Sequence, residues 1–234
     1  MVSIALTLVG LLMSSTHLES VRAASSQSHH LRVAPRRRQQ TGRPATAWVP
    51  SVFGSAKRAT AKRELLDAIA PLKRGLTASD EDMAVVESLA QKVEKLNPNP
   101  KSLSTPEVNG RWELMYTTSK SILSKGNPAM QPSGPIYQDI DAQGLRAFNS
   151  QYVQPIPFLK IAYQVIAELT PTSSSAVDVR FQEFTVGPLK VKASDKFKGA
   201  IDITYVDDEV RITRGNEGNL FVLVRAAGLE AGFR

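Results

Sequence analysis

Tyr205–Arg225 reads YVDDEVRITRGNEGNLFVLVR. Two strand-forming runs, EVRIT (Glu209–Thr213) and NLFVLVR (Asn219–Arg225), flank Arg214-Gly215-Asn216-Glu217-Gly218. Two glycines and an Asn within that loop supply the positive φ angles that a hairpin turn demands. A phosphate cradle needs a glycine-rich loop that opens a helix, and this loop opens a strand. The three neighbouring acids Asp207, Asp208 and Glu209 alternate sides along a strand, which favours a solvated bend over a catalytic carboxylate pair. Arg211 and Arg214 are expected to pair with these acids across the hairpin, as a rim network of modest energy. The stretch reads as a tight turn at the lip of a β structure.

Upstream, the same period of two recurs from Pro106 onward. RWELMYTT places Trp112, Leu114 and Tyr116 on one face, with Arg111, Glu113 and Met115 on the other. IYQDI, LRAFNSQYV, IAYQVIAEL, AVDVRFQEFTV, LKVK and AIDITYV follow, bounded by Gly, Pro, Ser or acidic clusters. Eight or nine short strands, without a helical pattern long enough to force parallel crossovers, predict an antiparallel sheet that curls or closes into a barrel of about eight strands. Such a barrel has room inside for side chains or for one small ligand. The expected inward set is Trp112, Leu114, Tyr116, Val177, Val179, Phe181, Ile201, Ile203 and Tyr205. Those residue types suit a solid core and a lipid-binding calyx equally, so identity alone does not separate the two.

Two amphipathic helices precede the strands. Leu65, Leu66, Ile69 and Leu72 fall at helical spacing, with Pro71 set to break the helix and Gly75 to close it. SDEDMAVVESLAQKVEKL carries Met83, Val86, Leu89/Ala90, Val93 and Leu96 on one stripe. Ser79 with Asp82 forms a plausible N-cap, three acids in the first turn suit the helix dipole, and NPNP (Asn97–Pro100) ends the helix. A helix with one apolar stripe must cover something, here the barrel.

The first sixty residues have the character of an address. IALTLVGLLM (Ile4–Met13) is about half the roughly 20 apolar residues that span a bilayer. The Arg- and Ser-rich, acid-poor stretch after it resembles an organelle transit peptide. The small-residue site near Val21-Arg22-Ala23 also fits a secretory signal, so a bipartite leader and a single plastid transit peptide both remain open. The expected organisation is a leader over 1–60, helices over 61–100, a barrel over 101–228 and a tail over 229–234.

Charge and missing residues narrow the chemistry. Residues 1–62 hold nine Lys/Arg and one acid, a balance of +8, whereas residues 63–234 hold twenty Lys/Arg and twenty-one Asp/Glu, a balance of −1. The basic excess therefore belongs to the leader, and nucleic acid is not an expected partner. There is no Cys, and His17, His29 and His30 all lie in the leader. The body is thereby denied disulfides, a Ser-His-Asp triad, a thiolate nucleophile and any His/Cys metal site. No catalytic residue, metal or cofactor is assigned. A hydrolase or isomerase built on Asp, Glu or Tyr would need acids among the inward positions, and none is there.

At Gly199–Arg225 the chain resembles the C-terminal signature of the plastid lipid-associated proteins, the fibrillin or plastoglobulin family. Gly199, Thr204, Tyr205, Asp207, Arg211, Ile212, Arg214, Gly215, Gly218 and Phe221–Leu223 fit that signature, and Val206 and Val210 stand where Leu is usual. VNGRWELMYTTSKSIL and SGPIYQDID are similar to two further family segments, with Pro135 standing between Gly and Ile in the second. The resemblance covers roughly residues 61–226. It implies a lipocalin-like barrel, residence in plastids at plastoglobules or thylakoids, and a hydrophobic lipid or isoprenoid ligand, without implying a reaction. One family branch partners a prenyl-diphosphate synthase, so a scaffold or activator of an isoprenoid or plastoquinone-pathway enzyme stands as the alternative. GPLKVKASDKFKG adds a candidate membrane-facing feature: Lys190, Lys192, Lys196 and Lys198 around Phe197. Each such lysine near an anionic lipid surface is worth about 1 kcal/mol. The competing reading is a solvated hairpin whose lysines block edge pairing.

Overall fold

The computed structural model describes residues 52–226 except residues 196, 216 and 217. Helix α1 (Val52–Ile69) begins inside the stretch expected to be leader; the remainder of that leader and the C-terminal tail lie outside the described residues. A 3₁₀ turn, Ala70–Leu72, carries Pro71 and ends α1. Gly75 then adopts φ +97°, and a Cβ there would lie 2.3 Å from the Thr117 carbonyl oxygen. That close approach lets the Thr117 N–H donate to the Arg74 carbonyl at 3.1 Å and ties the helical layer to the first strand. Helix α2 (Asp80–Glu94) starts with a full capping box between Ser79 and Asp82 and buries Val86, Ala90 and Val93.

The strands are β1 (Gly110–Thr117), β2 (Tyr137–Asp141), β3 (Arg146–Ile156), β4 (Leu159–Pro171), β5 (Ala176–Val186), β6 (Leu189–Lys192), β7 (Lys198–Val206), β8 (Val210–Gly215) and β9 (Leu220–Arg225). Every pairing between them is antiparallel. Around the sheet the order is β4-β3-β2-β1-β9-β8-β7-β5, and β4 pairs with β5 to close an eight-stranded barrel. Strand β5 divides the edge opposite β4 between two neighbours: Ala176–Arg180 pair with β7, while Glu183–Val186 form a hairpin with β6.

The barrel wall has two packed faces. Outside, Leu65, Ile69, Val86 and Val93 of the helices pack on Tyr116, Tyr205, Ile212 and Val222. Inside, Trp112, Leu114, Val177, Val179, Ile203 and Leu223 belong to one cluster, and Tyr163, Val165, Phe184 and Val186 to a second. Tyr116 and Tyr205, expected to point inward, therefore point outward under the helices. The cause is a register shift between Leu114 and Tyr116 in β1, and another between Ile203 and Tyr205 in β7. Each bulge inserts a residue and reverses the alternation beyond it, so Val206 rather than Tyr205 continues the inner face after Ile203. A third shift, opposite Ile166/Ala167, leaves both Phe181 and Phe184 inside.

Candidate ligand cavity and lipid-facing rim

The barrel is hollow. A cavity of about 310 Å³ is lined by Leu114, Val177, Val179, Phe181, Ile201 and Ile203 of the expected inward set. Its wall continues along β4 and β5 to Tyr163, Val165 and Phe184, close to the β5–β6 turn at Gly187. Trp112 is fully buried but is not on that wall. Its indole N–H donates to the Val108 carbonyl at 3.0 Å, and its ring lies beneath two guanidiniums, Arg211 at 5.0 Å and Arg225 at 4.0 Å.

The stretch first read as a rim divides between the two faces of the wall. Among the described residues Arg214 pairs with none of the expected acids Asp207, Asp208 and Glu209. It reaches outward to α2, with Nε 2.9 Å from Glu94 and Nη1 2.7 Å from Glu87. Burial would lower its pKa, but the two carboxylates outweigh burial and raise it. Asp207 is also taken by a helix: Lys62 of α1 donates to it at 2.7 Å and the Tyr205 hydroxyl at 2.5 Å. Burial works to raise the Asp207 pKa; hydrogen bonds from Lys62, Tyr205 and the Val210 and Glu209 N–H groups outweigh it, and the carboxyl sits below its usual range. The Lys62 ammonium is raised in turn, its partners Asp207 and Glu209 outweighing burial. These family-signature residues clasp the helices to the barrel.

Arg211 turns the other way. It is fully buried, lines the cavity, and lends only Nη2 to a protein acceptor, the Gln138 side-chain oxygen. Its Nε and Nη1 have no acceptor among the described residues. Burial, then the nearby Arg225, pull its pKa down to about 9, which leaves it cationic at neutral pH. Among the described residues no Asp or Glu lines the cavity. An unpaired buried charge costs several kcal/mol.

The glycines of the turn differ from expectation as well. Gly218 holds the positive φ, +72°, whereas Gly215 ends β8 without one. Gly215 is constrained by space instead, since a Cβ there would lie 3.2 Å from the Phe221 ring.

Of the candidate membrane residues, Phe197 is not the exposed aromatic. It packs edge-on against Phe184 at 5.8 Å. Lys190 pairs with Glu183 at 3.4 Å, Lys192 and Lys198 are exposed with Lys198 at the cavity wall, and Lys196 lies outside the described residues. The apolar surface that sequence reading missed is the β3–β4 turn, where Phe158 is 98% exposed between the half-exposed Ile156 and Leu159. This turn lies beside the β5–β6 hairpin, whose Leu189 is exposed and whose Gly187 N–H donates to the Ala162 carbonyl. The run QPIPFLK, apolar around a proline turn and followed by a lysine, was the available signal.

Among the described residues no helix is long and apolar enough to cross a membrane, and no group of His, Cys, Asp and Glu could hold a metal ion. The PAP_fibrillin family model matches residues 59–224. The chain is 42% identical to the probable plastid-lipid-associated protein 5, chloroplastic, of Arabidopsis thaliana, over 74% of this chain and 73% of that protein. It is 25% identical to plastoglobulin-1, chloroplastic, of Pisum sativum, over 70% of this chain and 66% of that one. It is also 27% identical to the chromoplast-specific carotenoid-associated protein C1 of an Oncidium hybrid cultivar, over 70% and 68%. No solved structure matches. A closed barrel with this signature clasping its helices, matched over this span, makes the chain a member of the PAP_fibrillin family of plastid lipid-associated proteins, resident like them in the plastid.

Proposed function

We propose that the protein is a non-enzymatic carrier that holds one hydrophobic metabolite inside its barrel and docks by its rim on a plastoglobule or thylakoid lipid surface. The observation that carries this reading is the apolar-walled cavity of about 310 Å³. That volume lies at the small end of the range for ligand sites. It suits one acyl chain, or a quinone ring with the first part of its tail, better than a whole carotenoid. Each methylene buried there contributes about 0.8 kcal/mol. Ile156, Phe158 and Leu159, with Lys160 next to them in sequence and Lys190 and Lys192 on the β6 hairpin that pairs with β5, supply the combination of apolar tip and basic residues that meets an anionic lipid surface. The carotenoid-associated and plastoglobulin names of the relatives support a lipid surface as the working environment.

The test is to incubate the delipidated 234-residue chain with a plastid lipid extract, isolate it by gel filtration, and identify co-eluting lipid by mass spectrometry. A stoichiometric prenylquinone, carotenoid or acyl lipid is the expected result. A folded but empty protein would overturn the carrier reading and favour a scaffold for an isoprenoid-pathway enzyme such as a prenyl-diphosphate synthase.

A further inference from the structure

We infer that the cavity selects an acidic lipid, an apolar chain ending in a carboxylate, and that Arg211 receives the head group. The inference rests on the carrier reading and narrows its ligand class. Arg211 is buried in a wall that is otherwise largely apolar, and two of its three guanidinium nitrogens have no acceptor among the described residues. Its one protein acceptor is a neutral amide oxygen, on Gln138. Gln138 is itself held by donating to the Asn149 side-chain oxygen at 3.0 Å, so its amide is oriented with the oxygen toward Arg211.

The surroundings strengthen the demand for an anion. The neighbouring cation Arg225 is occupied by the backbone carbonyls of Glu107, Asn109 and Asp208, which carry no net charge. Both guanidiniums lie over the Trp112 ring, and that ring offers only its quadrupole in return. Carboxylates elsewhere are already engaged: Asp139 with Arg111 by a two-bond fork at 2.7 Å each, Asp207 with Lys62, and Glu94 with Arg214. Arg211, fully buried on a wall that carries no Asp or Glu among the described residues, is matched best by a ligand that brings a carboxylate. The bond to Gln138 already has an ionised donor, and a carboxylate adds to it the attraction of a full opposite charge, so it competes effectively with the Gln138 amide for the guanidinium. A neutral chain fills the same apolar space and leaves the arginine as it was.

Isothermal titration calorimetry on the delipidated full chain tests this with three ligands of matched length: laurate, 1-dodecanol and methyl laurate. Laurate is expected to bind at least tenfold more tightly than either neutral ligand. In Arg211→Met the laurate advantage should vanish while 1-dodecanol binding stays within about twofold, and Arg211→Lys should restore part of the advantage. Equal affinity for the three ligands in the unmodified chain would overturn the acidic-lipid inference and leave the carrier reading intact. Binding of none of them would overturn both. The unmodified chain decides the matter by itself if a variant fails to fold.

Discussion

Strands β7, β8 and β9 present two faces that do opposite work. Their outer face is sealed by α1 and α2, with Tyr205, Val210, Ile212, Leu220 and Val222 packed on Leu65, Ile69, Val86 and Val93. Their inner face borders a space that their own side chains leave unfilled, and it carries one unpaired arginine. Two charged groups on the outer face are paired, Arg214 by Glu87 and Glu94, and Asp207 by Lys62 and Tyr205. The difference teaches that stability and binding are divided across a single wall. The signature that identifies the family contributes to both sides, with alternate residues facing opposite ways.

The largest effect should come from removing the side chain that anchors the solid end of the interior. Trp112→Ala is expected to cost about 3–5 kcal/mol, because the ring is fully buried, hydrogen-bonded to Val108 and not on the cavity wall. Chemical denaturation would show it; a loss under 1 kcal/mol would mean that the interior is hollow beneath Trp112 as well.

A paired comparison of leucines sharpens the contrast. Leu65→Ala, under the helices, leaves a new cavity in a packed layer and should cost about 3–4 kcal/mol. Leu114→Ala only widens a cavity that already exists, so fewer contacts are lost and about 1.5–2.5 kcal/mol is expected. Equal losses at the two sites would erase the distinction between the sealed face and the hollow one.

The clasp has a pH signature of known sign. The Asp207 pKa is lowered in the folded protein, so its contribution is full above the ordinary Asp range and is lost as pH falls through the folded value. The Lys62 pKa is raised, so its contribution is full below the ordinary Lys value near 10.4 and is lost as pH rises through the folded value. The pair therefore stabilises across the neutral range and weakens at both ends. Lys62→Met should cost about 2–3 kcal/mol at pH 7, since it leaves Asp207 buried without its cation, and it should flatten the acid limb of a stability-versus-pH curve. An unchanged acid limb would show that Asp207 is held by Tyr205 and the backbone alone.

Most of the fold was legible because strand chemistry and turn chemistry agree throughout the chain. All nine strands, the Ser79 cap and the stop after α2 follow from alternation, capping and breakers. What escaped was side. Tyr116 and Tyr205 follow bulges, and a bulge leaves no mark in a single strand because it is set by the register of two. Arg211 escaped for a different reason. In β8 the apolar residues Val210 and Ile212 face the helices while Arg211 and Thr213 face the cavity, the reverse of the usual apolar-in, polar-out rule. That rule assumes that the outside is water, and here the outside is a second core. The pairings of Asp207 and Arg214 with helices distant in sequence were hidden by the acids and bases available within the hairpin itself.

The smallest effect on stability should fall at the rim, where the contrast between folding and function is cleanest. Phe158 is 98% exposed at the β3–β4 turn and touches no core cluster, so Phe158→Asp should change stability by no more than about 0.5 kcal/mol. The same substitution places a charge where an apolar tip would enter the head-group region, two residues from Lys160. Flotation with vesicles containing anionic lipid should therefore show the unmodified chain bound and the variant depleted several-fold, with laurate affinity unaltered because the cavity wall is untouched. If the variant floated normally, the exposed tip would not be the docking element, and the basic residues Lys190 and Lys192 would have to carry attachment alone. If flotation and laurate binding fell together, the rim and the cavity would be one coupled device, and the division of labour drawn across the barrel wall would extend along it as well.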